Sequence, residues 1–414
     1  MLSFLRGRLV AVRLCLLITT LALVAIGVAT IYSVGHPAEP SAAGKMEGIA
    51  NLWKKQLVFA VIGIVGFVAA NLVNYRRLGA VSYWIYAGIL ILLAVLVVSR
   101  YVVELPFAPA SHNAHRWIVL HPRLPWIQPS ELCKLGYILA IAWYLRYRSN
   151  YRNFSGLIGP FVLTLLPIAL ILVEPDLGTV MLMMPIFLTM LFVAGAKVKH
   201  LAIMILAALL LSPVLWSQMK SYQQTRISSV VLQSPWVRQK AEQHPILGRI
   251  LVGGKFSTAR WMRDAGYQLI QSKFAVASGG MKGYGFRQGP FIKHKFLPDR
   301  DNDFIFATIA HQWGFLGCLS VLGLYALMVG CGLEIAANNT DPFGRLLAIG
   351  IIAMFAVEVL VNVSMTLGLM PITGLTLPFV SYGGSSLLVS MISVGLLNNV
   401  GRCRPFSVAP RLPR

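Results

Sequence analysis

Charge is scarce in this sequence, and acid is the scarcest part of it. Only 12% of the 414 residues are charged and just 14 are Asp or Glu, while 57% are hydrophobic and the mean hydropathy is +0.71. Soluble proteins carry about a quarter charged residues, so a soluble globular fold is excluded and a polytopic membrane protein remains. The 36 Lys and Arg leave a net charge of +22. In so apolar a chain that excess belongs to the loops between spans and not to a nucleic-acid surface. Cysteine is sparse too. Cys15, Cys133, Cys318, Cys331 and Cys403 show no CxxC spacing and lie in apolar runs or near the C-terminus, which argues against disulfides and zinc. No Walker loop, HExxH, catalytic Ser elbow or dinucleotide fingerprint is present.

Long apolar runs are what the chain does have. A helix needs about 20 mostly apolar residues to cross the hydrocarbon core. The runs are Leu14 to Val34, Gln56 to Leu72, Val81 to Val98, Leu132 to Leu145, Leu157 to Val173, Val180 to Val193, Leu201 to Trp216, Phe315 to Gly332, Leu346 to Leu367 and Ser386 to Leu397. They predict an all-α polytopic membrane protein of about ten transmembrane helices, one membrane domain over residues 1–414. The fourth and tenth runs are short and are accepted because an even count satisfies the charge bias. The first exceeds a signal-peptide core and is read as an uncleaved span.

With both termini in the cytoplasm, 15 Lys and Arg fall inside, against Lys45, Lys54, Lys55, Arg100, Arg116 and Arg123 in the short outer loops. Residues 217–303, between the seventh and eighth runs, form a large outer loop holding 14 Lys and Arg and 5 acids. Segments of this length cross largely regardless of charge. A basic outer loop calls for an anionic ligand.

The remaining polar motifs cluster on the outer side. In Gln128-Pro129-Ser130-Glu131-Leu132-Cys133-Lys134, Ser130 suits an N-cap and Glu131 the positive helix end. Lys134 opposes the dipole, so an ion pair or a bound anion must justify it, and it ranks above Glu131 as a functional candidate. In Glu174-Pro175-Asp176, Asp176 reads as the cap of the next helix. The Gly-rich Gly279 to Arg287, with Lys282, could form an anion-binding nest, though such sequence usually means turns. His112 and His115 have metal-like spacing but no nearby cysteine. Asp299, Asp301 and Asp303 lead into an apolar helical run ending near Gly314. One of them could cap that helix, and physics alone leaves this reading and a catalytic one open. Gly368 to Ser386 is too rich in Gly, Pro and hydroxyls to face lipid and should shape a site.

Taken together, these motifs resemble the SEDS family (shape, elongation, division and sporulation), the peptidoglycan polymerases of the RodA and FtsW type. The resemblance rests on Ala114 to Trp117, Gln128 to Lys134, Pro175 to Thr179, Gly266 to Lys273, Leu297 to Ala307 and Pro371 to Ser386, in order from the first span to the last. Gln271-Ser272-Lys273 leans toward the RodA type. The resemblance implies polymerisation of lipid II at the outer face of the bacterial cytoplasmic membrane, by attack of a GlcNAc 4-hydroxyl on an undecaprenyl-pyrophosphate-linked glycan. It implies Asp303 as the essential acid, Glu131 and Lys134 as lining the same cavity and Arg116 at its mouth; Lys282 and Ser385 complete the expected substrate-binding set. A divalent cation and a class B penicillin-binding protein are the expected assistant and partner. An α-linked donor giving a β-linked polymer requires inversion, with Asp303 as general base. The competing readings are a lipid-precursor flippase and a noncatalytic scaffold. The sequence departs from the family where Asp301-Asn302 replaces His-Thr, His311-Gln312 replaces an acidic pair and Glu358 replaces Gln. Residues 232–263 are an apparent insertion.

Overall fold

The computed structural model describes residues 9–38, 47–102, 105–109, 116–119, 126–147, 154–294 and 296–402. Ten main helices follow one another: α1 (Val10–Gly35), α2 (Leu52–Leu72), α3 (Ser82–Tyr101), α4 (Pro129–Leu145), α5 (Ile158–Val173), α6 (Leu177–Ala194), α7 (Val198–Gln218), α8 (Ile305–Ala337), α9 (Pro342–Thr366) and α10 (Gly384–Arg402). The described residues form no strand, only an isolated bridge between Ile118 and Ile127. Each predicted run falls on one of these helices to within one residue. Eight are long and apolar enough to cross a membrane; α4 and α5, at 17 and 16 residues, are shorter. The tenth run, read as short, is a 19-residue helix.

Helices that are apolar on every side can only be stable in lipid or enclosed by other helices. Both cases occur. α4, α9 and α10 are largely enclosed, and α7 presents Leu209, Leu210, Leu211 and Val214 outward. Buried polar residues are tied across helices: Arg13 Nε donates to Asn398 Oδ1 (2.8 Å), and Asn398 Nδ2 to Asn71 Oδ1 (2.6 Å). Such bonds satisfy side chains that lipid cannot.

The large loop is itself helical. Ser221–Leu232, Pro235–Gln243 and Pro245–Val252 close over a small core of Leu232, Ala241, Val252, Phe256 and Trp261, which includes the apparent insertion. The helix Ala265–Gly279 then packs against α8 and α9 through Leu269 and Ala275, beside Phe304 and Met365.

Within α8 the helix breaks at Gly314, where φ is +63°. A Cβ there would meet Gly283 N at 2.5 Å and Met281 C at 2.6 Å. Only glycine accepts both that backbone and that proximity. Ile305 to Gln312 is therefore a separate buried half-helix, and the eighth span proper begins at Phe315, where the apolar run predicted it.

Candidate active site

The acidic segment before α8 is held by its neighbours rather than by its own carboxylates. Arg300, buried, donates to the carbonyls of Ile292 (3.3 Å), His294 (3.0 Å) and Val34 (3.4 Å). Thr308 Oγ1 returns to Arg300 O (2.8 Å), and Asp299 takes the left-handed conformation that Asp tolerates. The cap of α8 is Phe304, without any side-chain cap bond. No acid of the trio is therefore the N-cap.

Asp303 is placed by what surrounds its backbone. Asn362, near the C-terminal end of α9, donates to Asp303 O (2.9 Å) and Leu375 O (2.7 Å), pinning the acidic turn to the loop between α9 and α10. That loop adds Ser381 Oγ to Asn302 O (2.7 Å) and Tyr382 N to Asp301 O (3.0 Å). Gly374, with φ +72°, lies over the acid: a Cβ there would stand 3.4 Å from Asp303 Oδ2. The carboxylate is partly accessible and takes no hydrogen bond or ion pair among the described residues. Burial, then repulsion by Asp299, raises its pKa to about 7, against the pull of Arg226 and Arg116. A carboxyl poised near neutrality beside two cations suits proton transfer next to a departing anion.

Arg116 reaches this region from the loop before α4, donating to Glu174 O (2.9 Å) and Pro175 O. The Glu174 side chain beside it is buried with Oε1 unpartnered, and burial followed by Asp176 pushes its pKa up to about 8. Asp176 caps α6 as expected, accepting from Thr179 N at 3.2 Å. It also accepts from Ser130 Oγ (2.8 Å). Ser130 itself is not a cap: Gln128 is, with Pro129 at the first helical position its fixed φ favours.

The structure gives Lys134, Glu131, Ser385 and Lys282, all expected to bind substrate, the following surroundings. Lys134 is buried and pairs with Glu131 Oε2 (2.8 Å) and with Glu358 Oε1 of α9 (2.5 Å). The cation that opposed its helix dipole is thus justified by two carboxylates, one of them the residue that departs from the family pattern. Ser385 Oγ accepts from Gln128 N (3.1 Å) and donates to Trp126 O (2.9 Å), which ties α10 to the start of α4. The Gly-rich segment is no nest. Tyr284 N and Gly285 N bond the His311 and Gln312 carbonyls freed by the Gly314 break, and the Gly280 and Met281 carbonyls accept from Phe315 and Leu316. Lys282 is exposed there, about 15 Å of helix from Asp303. His112 and His115 lie outside the described residues.

The sequence reading missed Arg226, Asn362 and the Glu174 side chain. Asn362 had a signal, a polar residue inside the ninth apolar run one turn from Glu358. Arg226 had none, being one of 14 cations in its loop. No three His, Cys, Asp or Glu side chains among the described residues converge into a metal site. Asp303 stands near Asp299 and Asp301 as well as the two arginines.

The family model of the FtsW/RodA/SpoVE cell cycle proteins matches residues 13–404. The chain is 34% identical to the peptidoglycan glycosyltransferase RodA of Treponema pallidum, covering 93% of this chain and 96% of that protein. It is 33% identical to the stage V sporulation protein E of Bacillus subtilis, with 94% and 96% covered. Among solved structures it superposes on a chain of a peptidoglycan synthase complex that coordinates polymerization and crosslinking. The TM-score is 0.69 at 28% identity, over 94% of this chain and 96% of that one.

Proposed function

Because the chain belongs to the FtsW/RodA/SpoVE family of multi-pass membrane proteins, we propose that it is a peptidoglycan glycosyltransferase that polymerises lipid II, with Asp303 as the general base. The supporting observation is the state of Asp303: uncapped, unpaired among the described residues, half-buried under Gly374 and raised to a pKa of about 7.

In this reading the 4-hydroxyl of one lipid-linked GlcNAc attacks the anomeric carbon of a lipid-pyrophosphate-linked glycan. The C–O bond to the new sugar forms as the bond to pyrophosphate breaks. The hydroxyl proton passes to Asp303, and the pyrophosphate leaves as an anion on its lipid. A sugar hydroxyl is a weak nucleophile, and a positioned base contributes roughly 10²- to 10⁴-fold. Arg116 and Arg226 would stabilise the departing charge. A single displacement inverts the anomeric centre.

We place the chain in the bacterial cytoplasmic membrane with both termini inside, ten spans and the 217–303 loop outside, on the charge bias of the short loops. A class B penicillin-binding protein is the proposed partner, on the likeness to a chain of a peptidoglycan synthase complex. Purified protein incubated with lipid II in detergent tests the activity. Glycan polymer is the expected product, and its absence from folded, lipid II-binding protein would leave transport or scaffolding as the better reading.

A further inference from the structure

Away from Asp303, the outward faces of α1 and α2 enclose an apolar groove of about 780 Å³. Its depth comes from small side chains, Ala25 and Ala29 on α1 and Ala60 on α2, between larger residues that are exposed, such as Leu21, Val61 and Ile64. Its length is also defined. The lining runs from Leu21 to Tyr32 on one helix and from Ile64 to Trp53 on the other. At about 1.5 Å per residue each is roughly 16 Å, close to one leaflet of a core about 30 Å thick.

One end of the groove has the chemistry of a headgroup level. Tyr32, Trp53 and Phe286 form an aromatic collar. The Trp53 indole N–H is buried with no acceptor among the described residues. Lys54 lies 5.8 Å from the Trp53 ring centroid and is exposed, as is Lys55. The Arg287 guanidinium stands 5.7 Å from the Tyr32 centroid, held there by His36 O. Aromatic rings with Lys and Arg at one end of an apolar channel match a phosphate-bearing lipid.

The groove is walled off from the candidate active site. One turn before Ala60, buried Gln56 donates to Ser381 O (3.0 Å) and accepts from Gly383 N (3.2 Å), closing the inner side of α2 onto the loop that clamps Asp301 and Asn302. A lipid seated in the groove therefore cannot present its headgroup to Asp303. We propose that the groove between α1 and α2 is a binding site for a nonreacting anionic glycerophospholipid of the outer leaflet. One acyl chain would lie along Ala25, Ala29 and Ala60, with its phosphate at Lys54 and Arg287. The inference stands whether or not the chain polymerises lipid II.

Tryptophan quenching by lipids brominated on the acyl chain tests it. The full chain is reconstituted in phosphatidylcholine vesicles containing brominated phosphatidylglycerol or brominated phosphatidylcholine, and the Trp53 contribution is taken as the difference from Trp53→Phe. Trp53 should be quenched preferentially by the anionic lipid. Lys54→Gln and Arg287→Gln should each lower that preference by about fivefold, while Lys55→Gln, on the far side of α2, should leave it nearly unchanged. Ala25→Leu with Ala60→Leu should abolish the Trp53 component by filling the groove. Lys54 is exposed, so its variant keeps the test open if the filled groove misfolds. Equal quenching by both lipids would mean boundary lipid only and overturn the proposal. So would undiminished preference in the Lys54 variant, or displacement of phosphatidylglycerol by a polyprenyl phosphate, which would give the groove to an isoprenoid-linked reactant.

Discussion

At the scale of the residue, the chemistry turns on which acids the fold leaves unused. Asp176 is spent on a cap and two cross-helix bonds, and Glu131 and Glu358 on Lys134. Asp303 is spent on nothing among the described residues, and its raised pKa has two measurable consequences. The base form is the ionised one, so polymerisation should fall below about pH 7, approaching tenfold per pH unit below about pH 6. The sign for stability is the reverse. The unfolded chain loses this proton near 3.8 and the folded chain near 7, so the folded state is penalised increasingly across that window and fully above it. Asp303→Asn removes the penalty, and its melting temperature should exceed the parent's at pH 8 and match it near pH 4. Lys134 behaves differently. Lys134→Met strands two buried carboxylates and should cost about 3–5 kcal/mol. Adding Glu131→Gln and Glu358→Gln should restore folding, and the activity of that triple variant then separates a structural lysine from a ligand-binding one.

At the scale of the element, the readable parts of the sequence were those governed by local physics. Apolar runs located the spanning helices, and Gly314 marked the end of the half-helix that follows Asp303. The misreadings came where a partner distant in sequence decides. Ser130 looks like a cap until Asp176, 46 residues away, takes its hydroxyl. The Gly-rich segment looks like an anion nest until the Gly314 break claims its amides. The role of Asn362 likewise depends on two loops that the sequence cannot juxtapose. The loop over Asp303 offers a paired test. Gly374 has φ +72° and faces the carboxylate, whereas a Cβ on Gly383 would make only ordinary contacts of 3.7 Å and beyond. Gly374→Ala should cost about 1–3 kcal/mol of local strain and depress activity, with Gly383→Ala close to the parent in both. Thermal unfolding and polymer yield measured side by side check both.

At the scale of the whole molecule, the ten helices and the helical 217–303 loop bring one polar region together at a single end of the bundle. The loop before α4 delivers Arg116, the α5–α6 turn Glu174 and Asp176, and the α9–α10 loop the cover over Asp303, while Arg226 comes from the large loop. Single cysteines placed in residues 217–303 of a cysteine-free background should label from outside intact cells. Labelling only after permeabilisation would invert the topology and move the site to the cytoplasm. The central claim, that Asp303 takes the proton of the attacking hydroxyl, is tested most directly by the rate of lipid II polymerisation by purified Asp303→Asn. Asn keeps the size and hydrogen-bonding capacity of the side chain but cannot accept the proton, so the rate should drop by about 10²-fold or more with lipid II binding retained. Polymerisation at the parent rate would contradict the assignment.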